Sequence, residues 1–246
     1  MFNFNFDKRY IYIIIGFLVL LSISNLATQE GAILGLILSI PGLLLAITFH
    51  EFAHAFVADR LGDDTPRLQG RLSLNPLDHL DPLGVAMLLF AHIGWGKPVQ
   101  VNPRNYDRRF SMEKADALVS LAGPATNFIL AIVLTLIYCA IYKFVGFTFM
   151  MSTVGTIIMS MISYAILLNI GLGVFNLIPL PPLDGSKIFK PFLPTNIKYF
   201  FEDNETIFYY IFIFIWVTGI AGNLISPIIS LLSNGILNLG LFIFGL

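Results

Sequence analysis

A chain of 246 residues in which 57% of side chains are hydrophobic, with 23 Phe and a mean hydropathy of +0.81, carries only 12% charged residues, far below the roughly 25% of soluble domains. This composition excludes a water-soluble globule and predicts an integral membrane protein. Fourteen basic residues against fifteen acidic ones give a net charge of −1 and no basic footprint for nucleic acid, so a nucleic-acid partner is excluded too.

In chain order, the first apolar stretch is Tyr10 to Ala27, after Lys8 and Arg9. It reads as a transmembrane helix or a signal peptide, and a second span directly behind it favours the retained helix. Gly31 to Ala58 is that second span. A polar, Pro- and Gly-rich segment follows from Arg60 to Lys114, with an apolar island at Val85 to Ile93. Ala115 to Tyr142 and Thr153 to Ile178 form two further spans, joined by a short loop. After the Pro-rich PLPPLDG comes a linker with Lys187, Lys190 and Lys198, then an apolar block from Thr206 to Leu246. That block is interrupted by Gly219, Gly222 and Pro227 and reads as two helices, the second lying partly in the membrane interface. The lone Cys139, in an apolar run, supports no disulfide framework.

The expected fold class is an all-α polytopic membrane protein, a helical bundle of about five to six transmembrane segments at roughly 20 residues each. It forms one domain over residues 1–246, with a core at about 31–190 and peripheral helices at 10–27 and 206–246. The segment GWGKPVQVN, residues 94–102, alternates in character between glycines and a proline. It reads either as a small re-entrant β-hairpin able to hold an extended substrate segment or as an ordinary loop. If the N-terminus is cytoplasmic, thirteen of the fourteen basic residues fall on the cytoplasmic side, Lys143 being the exception. The second span then ends there at His50 to His54, and the fourth ends there just before Asp184.

HEFAH, His50 to His54, carries the chemistry. Two histidines four residues apart project from one helix face and can share a zinc ion, while Glu51 beside them can reach a water on that ion without binding it. Ionisable groups within a span cost at least about 2.5 kcal/mol each and are rare without a function. A catalytic zinc site takes three protein ligands. His79, His92 and Asp184 are the candidates for the third; Asp184 is favoured because PPLDG presents one carboxylate at the end of an apolar helix. The other reading of Asp184 is an N-cap for a helix starting at Gly185. His79, in NPLDHLDP, reads as part of a structured turn. Asn127 lies within the third span and can bond either substrate backbone or a neighbouring helix. Asn169 and Asn176, seven residues apart on the fourth span, read as contacts between helices.

HEFAH and PPLDG, with GRLSLNPLDHLDPLG at 70–84, GWGKPVQVNPRNY at 94–106 and SLAGPATN at 120–127 between them, resemble the site-2 proteases, the M50-type intramembrane zinc metalloproteases, in a compact form without PDZ or CBS domains. The resemblance covers residues 48–185. It implies one catalytic Zn2+ held by His50, His54 and Asp184, Glu51 as general base, and Asn127 as a substrate-binding candidate. It further implies transmembrane protein substrates cut in or beside their spans in the lipid bilayer, and a multi-pass protein in a prokaryotic cell membrane with its active site towards the cytoplasm. The alternatives are a membrane zinc transporter, for which the other spans offer almost no ligands, and a relative that binds membrane proteins without cleaving them, against which Glu51 stands. HExxH proteases with a Glu as third ligand are a further class, but Glu113, Glu202 and Glu205 lie in no motif of that type.

Overall fold

The computed structural model describes residues 31–82, 84–85 and 96–246, with the side chains of 216 and 217 left out. The expected helix at 10–27 and most of the apolar island at 85–93, including His92, lie outside the described residues. Ten helices are described: α1 Ala32–Arg60, α2 Thr65–Leu68, α3 Pro76–His79, α4 Met112–Val145, α5 Phe147–Met150, α6 Thr153–Asn176, α7 Asp184–Phe189, α8 Thr195–Asp203, α9 Glu205–Val217 and α10 Ile220–Phe244. Among the described residues there is no β-sheet.

Four of these helices, α1, α4, α6 and α10, are long and apolar enough to cross a membrane. Their 24 to 34 residues correspond to about 36 to 51 Å of helix, against a hydrocarbon layer of about 30 Å. The final apolar block divides in two, as its interruptions predict. The first piece, α9, has 13 residues and reaches only about 20 Å, whereas the second, α10, has 25 and is long enough to span. The break falls at Gly219, whose φ of 73° is a left-handed conformation open to glycine. Gly222 and Pro227 remain inside α10, because a proline deletes one ladder bond and neighbouring helices tolerate the gap.

Helices α1, α4 and α6 pack against one another, and α10 packs against α4 and α6. Ala131 of α4, Ile170 and Val174 of α6, and Ala221 and Ile225 of α10 form the apolar seam between them. Polar side chains on α4 and α6 turn inward to partners: the Thr135 hydroxyl donates to the Ala131 carbonyl, and Asn169 Nδ2 donates to the Ala165 carbonyl.

The polar segment between α1 and α4 folds over the Arg60 end of α1. The possible hairpin at 94–101 is, among the described residues, a single antiparallel bridge from Leu80 to Gly96, with Lys97 N–H donating to the His79 carbonyl at 2.8 Å. A regular strand is prevented because the next donor, Val99 N–H, is taken by the Glu51 carboxylate and Pro98 has none. His79 is fully buried and its Nε2 bonds the Ser73 carbonyl, the turn role its sequence context suggests.

Asp63 clasps the other end of this segment. Its carboxylate accepts from Thr65 N–H and hydroxyl, Asn102 N–H at 2.6 Å and the Asn105 amide at 2.9 Å. Burial alone would raise the Asp63 carboxyl, but these donors hold it below its ordinary value. A group depressed in this way stabilises the fold fully above the ordinary carboxylate range, and the contribution is lost as pH falls through the lowered value. Asp63→Ala leaves those donors without their partner, at about 1–3 kcal/mol locally. Hydrogen exchange is expected to show faster opening of the Val99 and Asn102 amides in this variant, with the long helices unaffected.

Candidate metal centre

His50 and His54 lie on consecutive turns of α1 and are 5% and 8% exposed. Their Nε2 atoms are 3.0 Å apart, and each is 3.2 Å from Asp184 Oδ2. Two ligands held at about 2.0 Å by one tetrahedral ion would be roughly 3.3 Å apart, so the three atoms are spaced as such an ion requires.

The hydrogen bonds behind the rings decide what this cluster is. His54 Nδ1 lies 2.7 Å from the Val119 carbonyl, which can only accept, so Nδ1 carries the proton. His50 Nδ1 lies 2.7 Å from Asn127 Oδ1. Asn127 Nδ2 is committed to the Ala46 carbonyl at 3.1 Å and Asn169 Oδ1 at 2.9 Å, so its oxygen faces His50 and Nδ1 is again the donor. Neutral imidazoles in these tautomers turn two bare Nε2 lone pairs towards a carboxylate oxygen. Asp184 Oδ2 is itself buried with no hydrogen-bond donor. Unprotonated, the three groups facing one point would repel one another, and a divalent cation satisfies all three. Among the described residues this is the one group of three His, Cys, Asp or Glu side chains close enough to hold a metal.

Two glycines make the approach possible. A Cβ on Gly123 of α4 would lie 2.5 Å from His54 Nε2 and 2.7 Å from His50 Nε2, so only glycine leaves room for the imidazoles. A Cβ on Gly185 would lie 2.2 Å from the Ile178 carbonyl, so its absence lets α7 close against the end of α6. Asp184 is the first residue of α7, with Leu183 in the capping position, and it makes no N-cap bond. Its carboxylate turns to the histidines. Pro124 has no N–H for the Ser120 carbonyl, which interrupts the α4 ladder one residue beyond the carbonyl that accepts from His54.

Glu51, between the two histidines in sequence, is half-buried. Its Oε2 accepts from Val99 N–H at 3.0 Å, and its Oε1 makes no bond with a described residue. The structure therefore brings His50, His54 and Asp184 together, places Glu51 against the 96–101 segment, and puts Asn127 behind His50 with all its bonding committed inside the protein. Asn169 supports Asn127, while Asn176 bonds the Leu172 carbonyl of its own helix. The Val119 carbonyl, Gly123 and the Val99 N–H had no signal in residue type or spacing beyond their place near SLAGPATN and GWGKPVQVN.

The sequence profile described as Peptidase family M50 matches residues 101–219. YwhC of Bacillus subtilis, provisionally named a zinc metalloprotease, is 37% identical over 80% of this chain and 88% of its own length. The Rip2 proteins of Mycolicibacterium smegmatis and Mycobacterium tuberculosis, provisionally named in the same way, are 34% and 32% identical over 64% of this chain and 58% of theirs. No solved structure gives a significant match.

Gly123→Ala is expected to displace both imidazoles and abolish stoichiometric zinc, measured by metal analysis of the purified protein. Asn127→Leu removes the partner of His50 Nδ1 and should weaken metal affinity about 10- to 100-fold in competition with a chelator.

Proposed function

The chain belongs to peptidase family M50, the site-2 protease family, as a zinc metalloprotease of the membrane, and from that premise we propose that it hydrolyses peptide bonds in or beside the transmembrane segments of other membrane proteins. The observation that carries the proposal is the convergence of three buried ligand atoms, His50 Nε2, His54 Nε2 and Asp184 Oδ2, beside the carboxylate of Glu51. His50, His54 and Asp184 would hold one zinc ion. When bound, zinc supplies Lewis-acid polarisation of the scissile carbonyl and acidifies the attacking water.

Glu51 takes the proton of that water at Oε1 and passes it to the leaving amine. Its other oxygen is anchored by Val99 N–H, which fixes the carboxylate in place without occupying the oxygen that moves the proton. Asn127 and the Val119 carbonyl orient the two rings and place the Nδ1 proton away from the metal, so that each Nε2 can serve as the ligand atom. The 96–101 segment, which lies against Glu51, docks an unwound stretch of substrate by adding it alongside as a strand. The site faces the cytoplasm of a prokaryotic cell. Eleven of the twelve basic residues among the described residues support this orientation, the exception being Lys143 in the last turn of α4, at the opposite end from the metal centre.

Glu51→Gln should retain one zinc per chain while cleavage of a transmembrane substrate in vesicles falls by about 10²–10⁴; an unchanged rate would remove Glu51 from the mechanism. Asp184→Asn should lose both zinc and activity, and full zinc occupancy in that variant would show that the third ligand lies elsewhere.

A further inference from the structure

The asparagines of α10 are placed unlike those of the core. Asn127 and Asn169 are fully buried and bonded. On α10, Asn223, Ser226, Ser230, Asn234 and Asn238 are all exposed, and none makes a side-chain bond with a described residue. Steps of three and four residues put them on one stripe along the length of the helix. Ala221 and Ile225 are buried on the opposite face, in the seam with α4 and α6. The polar stripe therefore points away from the bundle, along a helix long and apolar enough to span a membrane, where water is not available to satisfy it.

We propose that this stripe is a self-association surface, on which α10 of a second copy of the chain packs in parallel about a two-fold axis normal to the membrane. A side-chain amide and a hydroxyl each donate and accept, so a line of them is complementary to its own copy when two-fold symmetry sets like residues opposite one another. A substrate helix is a poorer occupant. Helix α10 packs on α4 and α6 with no substantial contact to α1, the helix of His50 and His54, so a helix docked on its outer face does not lie against the metal centre. Leu224 and Leu231, 65% and 72% exposed, flank the stripe and give the contact an apolar margin. Interhelical Asn and Ser bonds between spans hold such contacts together.

The test uses the full chain in lipid vesicles at decreasing protein density, in a Cys139→Ala background that removes the one native thiol. Ser230→Cys and Asn234→Cys are each expected to oxidise to a product of twice the chain mass, whereas Ile229→Cys, on the inward side, is not. Exchanging Asn223, Asn234 and Asn238 together for Leu should weaken energy transfer between labelled chains on the order of tenfold, without lowering thermal stability. Absence of a cross-link at both stripe positions would overturn the proposal. So would unchanged transfer in the triple-leucine variant, or capture of a different membrane protein in place of a second copy.

Discussion

Two imidazole nitrogens and one carboxylate oxygen, within 3.2 Å of one another, are the constraint to which the centre of this protein is fitted. Such a cluster is unfavourable in a dry interior unless a cation joins it, so every surrounding feature serves to keep the three atoms facing one point. The Val119 carbonyl and Asn127 settle the tautomers, Asn169 settles which way Asn127 faces, Gly123 clears the volume, and Gly185 lets α7 approach. The helices α1, α4 and α6 must pack closely for these contacts to exist at all. The packing of the bundle and the chemistry of the centre are in this sense one problem.

The parts legible in the sequence are those in which residue type and local spacing carry the information. HEFAH declares two imidazoles on one helical face, PPLDG declares a carboxylate at a helix end, and long apolar runs declare spans. The parts that were not legible depend on backbone atoms or on empty space. A carbonyl at Val119 and an N–H at Val99 occur at nearly every position of any chain, and the function of Gly123 is to have no side chain. Asn127 was visible as an unusual polar group within a span, but both of its readings remained open until its partners were placed. The last apolar block divides into two helices as its interruptions suggest, but of the three only Gly219 marks the break, and Gly222 and Pro227 stay inside α10. Within a membrane, a glycine or proline need not end a helix, and the turn came earlier, at Gly219.

The proposed base and the proposed metal ligands are held by separate parts of the molecule. The ligands depend on the packed helices, whereas Glu51 leans on an irregular segment anchored to α3 by Lys97 and to the end of α1 by Asp63. The bundle core and this polar cover therefore contribute different halves of one reaction centre.

Asp184 follows His54 by 130 residues, with two long helices between them. During synthesis the nascent chain thus offers only a pair of imidazoles until the last of the three groups emerges and α7 folds back. A pair is a weak and open trap for metal, and the trio is a strong and closed one. On the proposed ligand set, hydrolytic competence cannot precede the emergence of Asp184 and the folding back of α7.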